Sequence, residues 1–135
     1  MSAENVEVVR RIHEAWNAGE SPQALGLLAA DIEWVNPPEA VETGIRQGAD
    51  AFDAATRSVG ESFSDVTLVI DEFIDAGDRV VALGAMHARG RASGIDSMRP
   101  QGYVWTLRDG QAVRFQWFSD HDRARAAAGL DSAQP

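Results

Sequence analysis

The sequence predicts an α+β fold in which helices pack on one face of a mainly antiparallel sheet. Apolar residues recur at helical spacing in the first part of the chain, whereas after Gly60 they alternate with a period of two. An Asp-Gly pair at 109–110 joins two alternating segments, which is a strong local signal for a tight β-hairpin. Helices followed by a meander of strands favour this layered fold class.

Three helices are predicted before the meander. The first covers about 2–17 and ends at an Asn and a Gly, which are stop signals. A short second helix follows Ser21 and Pro22, a capping residue with proline at the first helical position. The third covers about 49–59. The second helix is expected to bury Leu25, Leu28 and Ala29.

The predicted strands cover 31–36, 63–75, 79–91 and the two arms of the hairpin within 101–120. A polar connection is expected at 92–100. Gly84 and Gly90 lie inside a strand, where glycine often marks a bulge, so the sheet should curve strongly.

The last predicted helix begins at Asp120, whose carboxylate is well placed to cap it, and ends at Gly129. No repeat, low-complexity tract or linker interrupts the pattern. Residues 1–130 are therefore predicted to form a single domain, and 131–135 a frayed tail.

Composition excludes several classes of protein. The chain has 135 residues, 44% of them hydrophobic, and a net charge of −9 without any basic run, which argues against nucleic-acid binding. It has no cysteine, so disulfides, thiolate metal sites and cysteine nucleophiles are excluded. Neither a signal peptide nor a membrane-spanning apolar stretch is recognisable, and we expect a cytoplasmic protein.

Four large aromatic residues alternate along the two arms of the hairpin. Since alternate side chains of a strand point to opposite faces, Tyr103, Trp105, Phe115 and Trp117 should form one aromatic wall. Such a wall either lines a cavity for flat or terpenoid molecules or fills the interior completely.

Five short segments carry a family resemblance: WNAGE at 16–20, DIEWVNP at 31–37, GIRQG at 44–48, WTLRDG at 105–110, and the ending at 120–130. With the order of elements, they resemble the NTF2-like superfamily, within it the SnoaL-like proteins related to ketosteroid isomerases and limonene-epoxide hydrolases. The resemblance implies a cone-shaped, NTF2-like (cystatin-like) fold, with three N-terminal helices on a curved sheet around a pocket, and no cofactor.

The resemblance also implies positions for functional side chains. Ile12, Asn36 and Tyr103 stand where the isomerases carry a tyrosine, a general-base aspartate and an oxyanion-binding acid. Most of the epoxide hydrolases' catalytic side chains are replaced as well, since Trp34 and Trp117 stand at two of those positions. Neither catalytic set is intact in this sequence.

The predicted catalytic residues are Asn36, Tyr103 and His13. An amide cannot act as a base but can orient a water or a carbonyl oxygen, although Asn36 could instead bond its own backbone before Pro37. A tyrosine hydroxyl donates well to a developing enolate, although Tyr103 could be a core residue. His13 is the one histidine expected to act as acid or base; His87 and His121 are interpreted as surface or interface residues.

The predicted substrate-binding residues are Ile12, Trp16, Trp34, Phe52, Met86, Trp105, Phe115 and Trp117. Together with these residues, the resemblance to SnoaL-like proteins implies a cofactor-independent isomerase, cyclase or hydrolase acting on a hydrophobic, ring-containing metabolite. A non-catalytic ligand-binding or accessory protein, and an association module with a filled cavity, remain the alternatives. No metal site is predicted, because no histidines have zinc spacing.

Two further groups of residues point to surface features. Val81, Leu83, Ala85 and His87 form a stripe on the outer face of the sheet, which predicts a homodimer through that face. Arg89, Arg91 and Arg99 surround the 92–100 connection, either as solvated loop charges or as an anion clamp.

Overall fold

A curved six-stranded sheet with three helices forms the architecture of the computed structural model, which describes residues 2–40 and 42–130. In chain order the elements are α1 (Ser2–Asn17), β1 (Leu28–Val35), β2 (Ile45–Gln47), α2 (Ala49–Ser62), β3 (Phe63–Ala76), β4 (Arg79–Gly90), β5 (Asp96–Arg108), β6 (Gln111–Phe118) and α3 (His121–Ala127). The predicted α+β class is confirmed.

The strands are arranged in the order β2-β1-β6-β5-β4-β3. Every pairing is antiparallel except that of β1 with β6, which is parallel. The sheet is thus mainly antiparallel, as predicted. The parallel pair closes the fold, because it brings the N-terminal strand beside the C-terminal one.

The predicted hairpin is confirmed in its turn and its register. Asp109 and Gly110 both have positive φ, 53° and 79°, as a type I′ turn requires. Trp105 pairs with Phe115, and Tyr103 pairs with Trp117. All four rings therefore lie on one face of the sheet, the face that α1 and α2 cover.

Gly84 lies opposite an irregularity in β3, where the register with β4 shifts between Ile70 and Glu72. A Cβ atom at Gly84 would lie 1.9 Å from the Val69 carbonyl oxygen, so no other residue fits there. The irregularity that a glycine inside a strand predicts is thus present at Gly84, and an irregularity of this kind bends a strand pair.

Helix α1 is attached to the edge strand β3 by more than apolar packing. Val9 and Ile12 are fully buried in the core. At the end of the helix, the Asn17 side chain donates to the Leu68 carbonyl at 2.8 Å and accepts from its N–H at 2.9 Å. These paired bonds fix the end of α1 above the inner face of the sheet.

The predicted second helix is wrong. Ser21 does cap a turn, accepting from the Ala24 N–H at 3.3 Å, but the chain stops being helical at Gly26, where φ is +72°. Leu25 is 46% exposed, whereas Leu28 and Ala29 are buried at the start of β1. Leu28 pairs with Ala112 of β6, and both Leu28 and Ala29 are buried beside that strand, which outweighs a local helical preference.

Other elements also differ from prediction in their existence or their bounds. The segment 44–48 contains the short strand β2, which pairs with β1 at Trp34 and Arg46. The connection between β4 and β5 is shorter than 92–100, because β5 already begins at Asp96. The third predicted helix is confirmed as α2, which continues past Gly60 to Ser62.

Helix α3 lies on the outer face of the sheet. Asp120 caps it, its carboxylate accepting from the Asp122 N–H at 2.8 Å, as predicted. Ala124 packs on Val81, Leu83 and Val104, and all four residues are buried. The stripe that was expected to be exposed is therefore covered by the chain's own last helix at Val81 and Leu83.

Within the described residues, no helix is long and apolar enough to cross a membrane. The predicted tail at 131–135 lies outside the described part of the chain.

Candidate functional site

A cavity of about 560 Å³ lies between the inner face of the sheet, α1, α2 and the loop that follows β1. Its apolar lining comes from every one of these elements. The aromatic lining residues are Trp16, Trp34, Phe63, Tyr103, Phe115 and Trp117. A volume of this size is sufficient for a ligand of several rings.

The floor of the cavity is a cluster of rings in mutual contact. The Tyr103 and Phe115 rings stack at 5.5 Å with an interplanar angle of 22°, and Trp34 contacts Phe115 at 4.7 Å between centroids. Phe115 is 1% exposed and Tyr103 4% exposed. These residues hold one another in fixed orientations, so the floor is preformed.

Seven of the predicted site residues line this cavity: Trp16, Trp34, Asn36, Met86, Tyr103, Phe115 and Trp117. The other four, Ile12, His13, Phe52 and Trp105, lie behind the lining in the core. Phe52 stacks on the Trp16 ring at 5.9 Å, and Trp105 contacts Phe115 at 4.5 Å. They therefore support the wall from behind and do not face the cavity.

Asn36 organises the wall of the cavity. Its side-chain oxygen accepts hydrogen bonds from the indole N–H of Trp34 at 2.8 Å and from that of Trp117 at 2.9 Å. Its NH₂ group donates to Glu42 Oε2 at 3.2 Å. Both acceptor sites of the amide oxygen are thus occupied, and the amide positions two indoles.

Tyr103 presents a buried phenol to the cavity. Burial raises its pKa above the ordinary value of 10, so the hydroxyl stays neutral at physiological pH. In the described part of the chain, no hydrogen bond involves this hydroxyl. It is a donor that a ligand oxygen can use.

His13 lies beneath the aromatic floor and is only 3% exposed. Its Nε2 accepts from the Trp105 indole N–H at 3.1 Å, so in the neutral ring the proton is on Nδ1. Burial lowers the pKa of His13 from 6.5 to about 3. The ring is therefore neutral in the folded protein at physiological pH, and it does not line the cavity.

Charged and polar groups are concentrated at the rim. Arg46 makes a bidentate ion pair with Glu42, with both N–O distances 2.6 Å. This pair lowers the pKa of Glu42, chiefly through its hydrogen bonds, and keeps the carboxylate ionised. Arg99 and Gln101 of β5 complete the polar part of the lining.

Sequence reasoning missed Glu42 and Arg46 and did not place Gln101. A four-residue spacing of opposite charges indicates a pair on a helix, but here Glu42 lies in a loop and Arg46 in the short strand β2. Gln101 could have been found, because it shares the alternation of Tyr103 and Trp105. Extending that alternation one step further reaches Arg99.

Comparison with known proteins identifies the family. A family profile of the SnoaL-like domain matches residues 9–115, which include most of the cavity lining. The chain belongs to the SnoaL-like domain family. Among curated proteins, none matches this chain.

Solved structures of similar proteins place this SnoaL-like domain in the NTF2-like superfamily. An NTF2-like protein of unknown function from Burkholderia pseudomallei is 29% identical, with a TM-score of 0.77 over 93% of this chain and 97% of the other. TerC, co-crystallised with polyporic acid, is 23% identical, with a TM-score of 0.76 over 93% and 98%.

A third similar structure is a protein from Jannaschia sp. CCS1 that bears the name SnoaL-like polyketide cyclase. It is 21% identical, with a TM-score of 0.79 over 100% of this chain and 96% of the other. At identities of 23% and 21%, the likeness to TerC and to the Jannaschia protein shows the fold alone.

The other histidines and two of the arginines that the sequence singled out do not line the cavity of this SnoaL-like domain. His87 is exposed, and the His121 Nε2 hydrogen bonds the Gly84 carbonyl at 2.8 Å, which attaches α3 to the bend of β4. Arg89 pairs with Asp96 at 2.8 Å, and the Arg91 Nε donates to the Gly60 carbonyl at 2.7 Å. Residues 2–40 and 42–130 contain no cluster of three potential metal ligands.

Proposed function

We propose that the cavity binds a hydrophobic, ring-containing small molecule and that Tyr103 donates a hydrogen bond to an oxygen of that ligand. The observation that carries the proposal is a preformed aromatic cavity of about 560 Å³ with one unpartnered, buried phenol in its wall. Stacking on indole and phenyl rings favours flat ring systems. A neutral phenol in a site of low polarity stabilises charge that develops on a carbonyl or epoxide oxygen.

The reaction class that suits this arrangement is cofactor-independent isomerisation, cyclisation or hydration, started by polarisation of that oxygen. Such a step also needs a proton acceptor, and Glu42 is the one carboxylate among the described lining residues. Its lowered pKa makes it a weak base. For isomerisation or cyclisation, the proposed substrate therefore carries a C–H that neighbouring carbonyl groups have already made acidic. For hydration, Glu42 accepts a proton from a water that attacks a polarised carbon of the substrate.

The neighbours' names are consistent with this class of ligand. One is called a SnoaL-like polyketide cyclase, and another was co-crystallised with polyporic acid. These two names support the class of ligand that we propose, because they indicate what kind of molecule the shared fold can bind.

A second candidate function, non-catalytic ligand binding, is favoured by a specific observation. The two groups near the cavity that could move a proton are committed elsewhere, Glu42 to its ion pair with Arg46 and His13 to the Trp105 indole beneath the floor. The Asn36 amide, which could orient a ligand oxygen, already accepts from two indoles. A binding protein needs only the volume and the rings.

The test is a fluorescence titration of the wild type, Tyr103→Phe and Trp117→Ala with anthraquinone, a steroid ketone and a terpenoid epoxide. Wild-type tryptophan emission should be quenched, because three indoles line the cavity. Tyr103→Phe should weaken binding of the oxygen-bearing ligands by about 1–3 kcal/mol, the cost of a lost buried hydrogen bond. The Trp117→Ala variant should lose much of the quench.

The same ligands separate the two candidate functions. Turnover by the wild type that falls sharply in Glu42→Gln supports catalysis, and binding without turnover supports the second candidate. Saturable binding that is unchanged in both Tyr103→Phe and Trp117→Ala would remove the ligand from this cavity.

We further propose a homodimer through the part of the outer sheet face that α3 leaves uncovered. Residues 68, 86 and 99 line the cavity, so their strand neighbours Val69, Ala85 and Met98 face outward by alternation. Val69 is 43% exposed and Met98 66% exposed. Sedimentation at increasing concentration should give the mass of two chains, and Met98→Asp should shift it to one.

A further inference from the structure

Two guanidinium groups line the cavity, and they differ in their partners. Arg46 is neutralised by its bidentate pair with Glu42. Arg99 makes no hydrogen bond or ion pair with any described residue. The chain has 21 acidic residues against 12 basic ones, and the one carboxylate of the described lining, Glu42, is paired with Arg46. Arg99 is therefore available to an outside anion.

The inward-facing residues of β5 become steadily less polar toward the floor. Arg99 is exposed, Gln101 is half-buried and Tyr103 is 4% exposed, and all three line the cavity. The next inward residue, Trp105, is fully buried. Along an extended strand the Cα atoms of Arg99 and Tyr103 are about 13 Å apart. A guanidinium and a phenol hydroxyl are thus set on the inner face of one strand, the first exposed and the second buried.

The surroundings of Arg99 strengthen an ion pair formed there. Arg99 pairs in register with Met86, and Met86 pairs with Leu68. Both apolar residues line the cavity beside the arginine. A ligand that covers them excludes water from one side of the guanidinium, and a charge-assisted bond is stronger in such a site than at an open surface.

We propose that Arg99 is the anion-binding residue of this cavity and that the ligand is a ring compound bearing a carboxylate or an ionised enol. The acidic group binds at the rim, the rings stack on the aromatic floor, and a second oxygen reaches Tyr103. This assignment rests on the proposed function, since it requires that the cavity bind a ring-containing molecule. It further specifies that this molecule is an anion.

The test is calorimetric titration at pH 7 with two matched probe pairs: anthraquinone-2-carboxylate with its carboxamide, and naphthalene-2-carboxylate with its carboxamide. The wild type should bind each acid about tenfold more tightly than its amide. Arg99→Gln should abolish that preference and keep the affinity for the amides, and Arg99→Lys should retain part of it.

The matched control is Arg108→Gln, which removes the same charge at the opposite end of β5 and should preserve the preference. Unfolding temperatures of all variants establish that Arg99→Gln folds. Equal affinity for acids and amides in the wild type overturns the role of Arg99 and leaves the proposed function standing. Binding of neither acid nor amide up to millimolar concentration overturns both.

Discussion

At the scale of single residues, the Asn36 side chain joins three parts of the cavity wall, while its catalytic role stays a prediction. Its oxygen receives two indole N–H groups, and its nitrogen faces a carboxylate. The amide therefore connects β1, β6 and the rim. It controls the shape of the cavity by fixing Trp34 and Trp117.

Replacement of Asn36 by Ala should destabilise the fold by about 1–3 kcal/mol, because two indole donors lose their acceptor at once. The measurement is the free energy of unfolding in urea. Gln116→Ala is the matched control, since Gln116 neighbours Trp117 on the opposite face of β6 and should cost under about 0.5 kcal/mol. Equal costs in the two variants would show that the indole bonds contribute nothing.

His13 makes stability depend on pH. Its pKa is about 3 in the folded state because of burial and 6.5 when the ring is exposed to water, so below pH 6.5 the unfolded chain binds a proton that the folded chain rejects. The stabilising contribution is therefore complete above pH 6.5 and is lost progressively as pH falls toward 3. Between pH 7 and pH 4.5 the loss from this residue is about 2–3 kcal/mol.

The variant His13→Gln should flatten this part of the pH profile, because an amide oxygen can accept from Trp105 without titrating. Urea unfolding at the two pH values measures the effect. Should the variant lose as much stability as the wild type on acidification, the carboxylates and not His13 govern the profile.

Which single residues the sequence could identify depended on alternation. Tyr103, Phe115 and Trp117 followed from the period of two in a hairpin whose turn fixed the register. Ile12, Phe52 and Trp105 were predicted to face the ligand but are core residues. The inner face of a helix or strand carries apolar side chains that line the cavity and others that pack in the core beside it. Periodicity identifies which residues share the inner face, but it does not tell which of them line the cavity and which are buried in the core.

At the scale of elements, the curvature of the sheet depends on Gly84. Replacement by Ala should cost about 3 kcal/mol, since the new methyl group would collide with the backbone of β3 and not with a flexible side chain. Gly60→Ala is the control: it lies in α2 with open space around the added atom and should stabilise the protein by about 0.5–1 kcal/mol. Thermal unfolding compares them, and a mild effect at Gly84 would mean that the bulge adapts.

The elements whose signals were local were predicted correctly. The Asp109-Gly110 turn, the Asp120 cap and the helical spacing of α1 each act within a few residues. The segment 21–29 shows the limit of local rules. Its capping and proline signals produced one turn, while Leu28 joined the sheet by pairing with Ala112, which is more than eighty positions away.

At the scale of the whole molecule, α3 and the loop after β1 determine which surfaces are available. The helix covers part of the outer face, which no strand pattern could reveal, because an apolar stripe looks the same whether the chain's own helix or another chain covers it. The loop brings Glu42 to the cavity rim, where its partner Arg46 lies on β2. Both outcomes depend on tertiary packing, so the sequence predicted the fold class more fully than the chemistry of the site.

Methionine methyl NMR provides the most direct test of the hollow aromatic interior. The chain has three methionines; Met86 lines the cavity and Met98 lies 66% exposed on the outer face. On addition of anthraquinone-2-carboxylate to ¹³C-methyl-methionine protein, the Met86 signal should shift strongly through the ring current of the bound ligand while the Met98 signal stays in place. A shift confined to Met98, or no shift at saturating ligand, would contradict the account of the site.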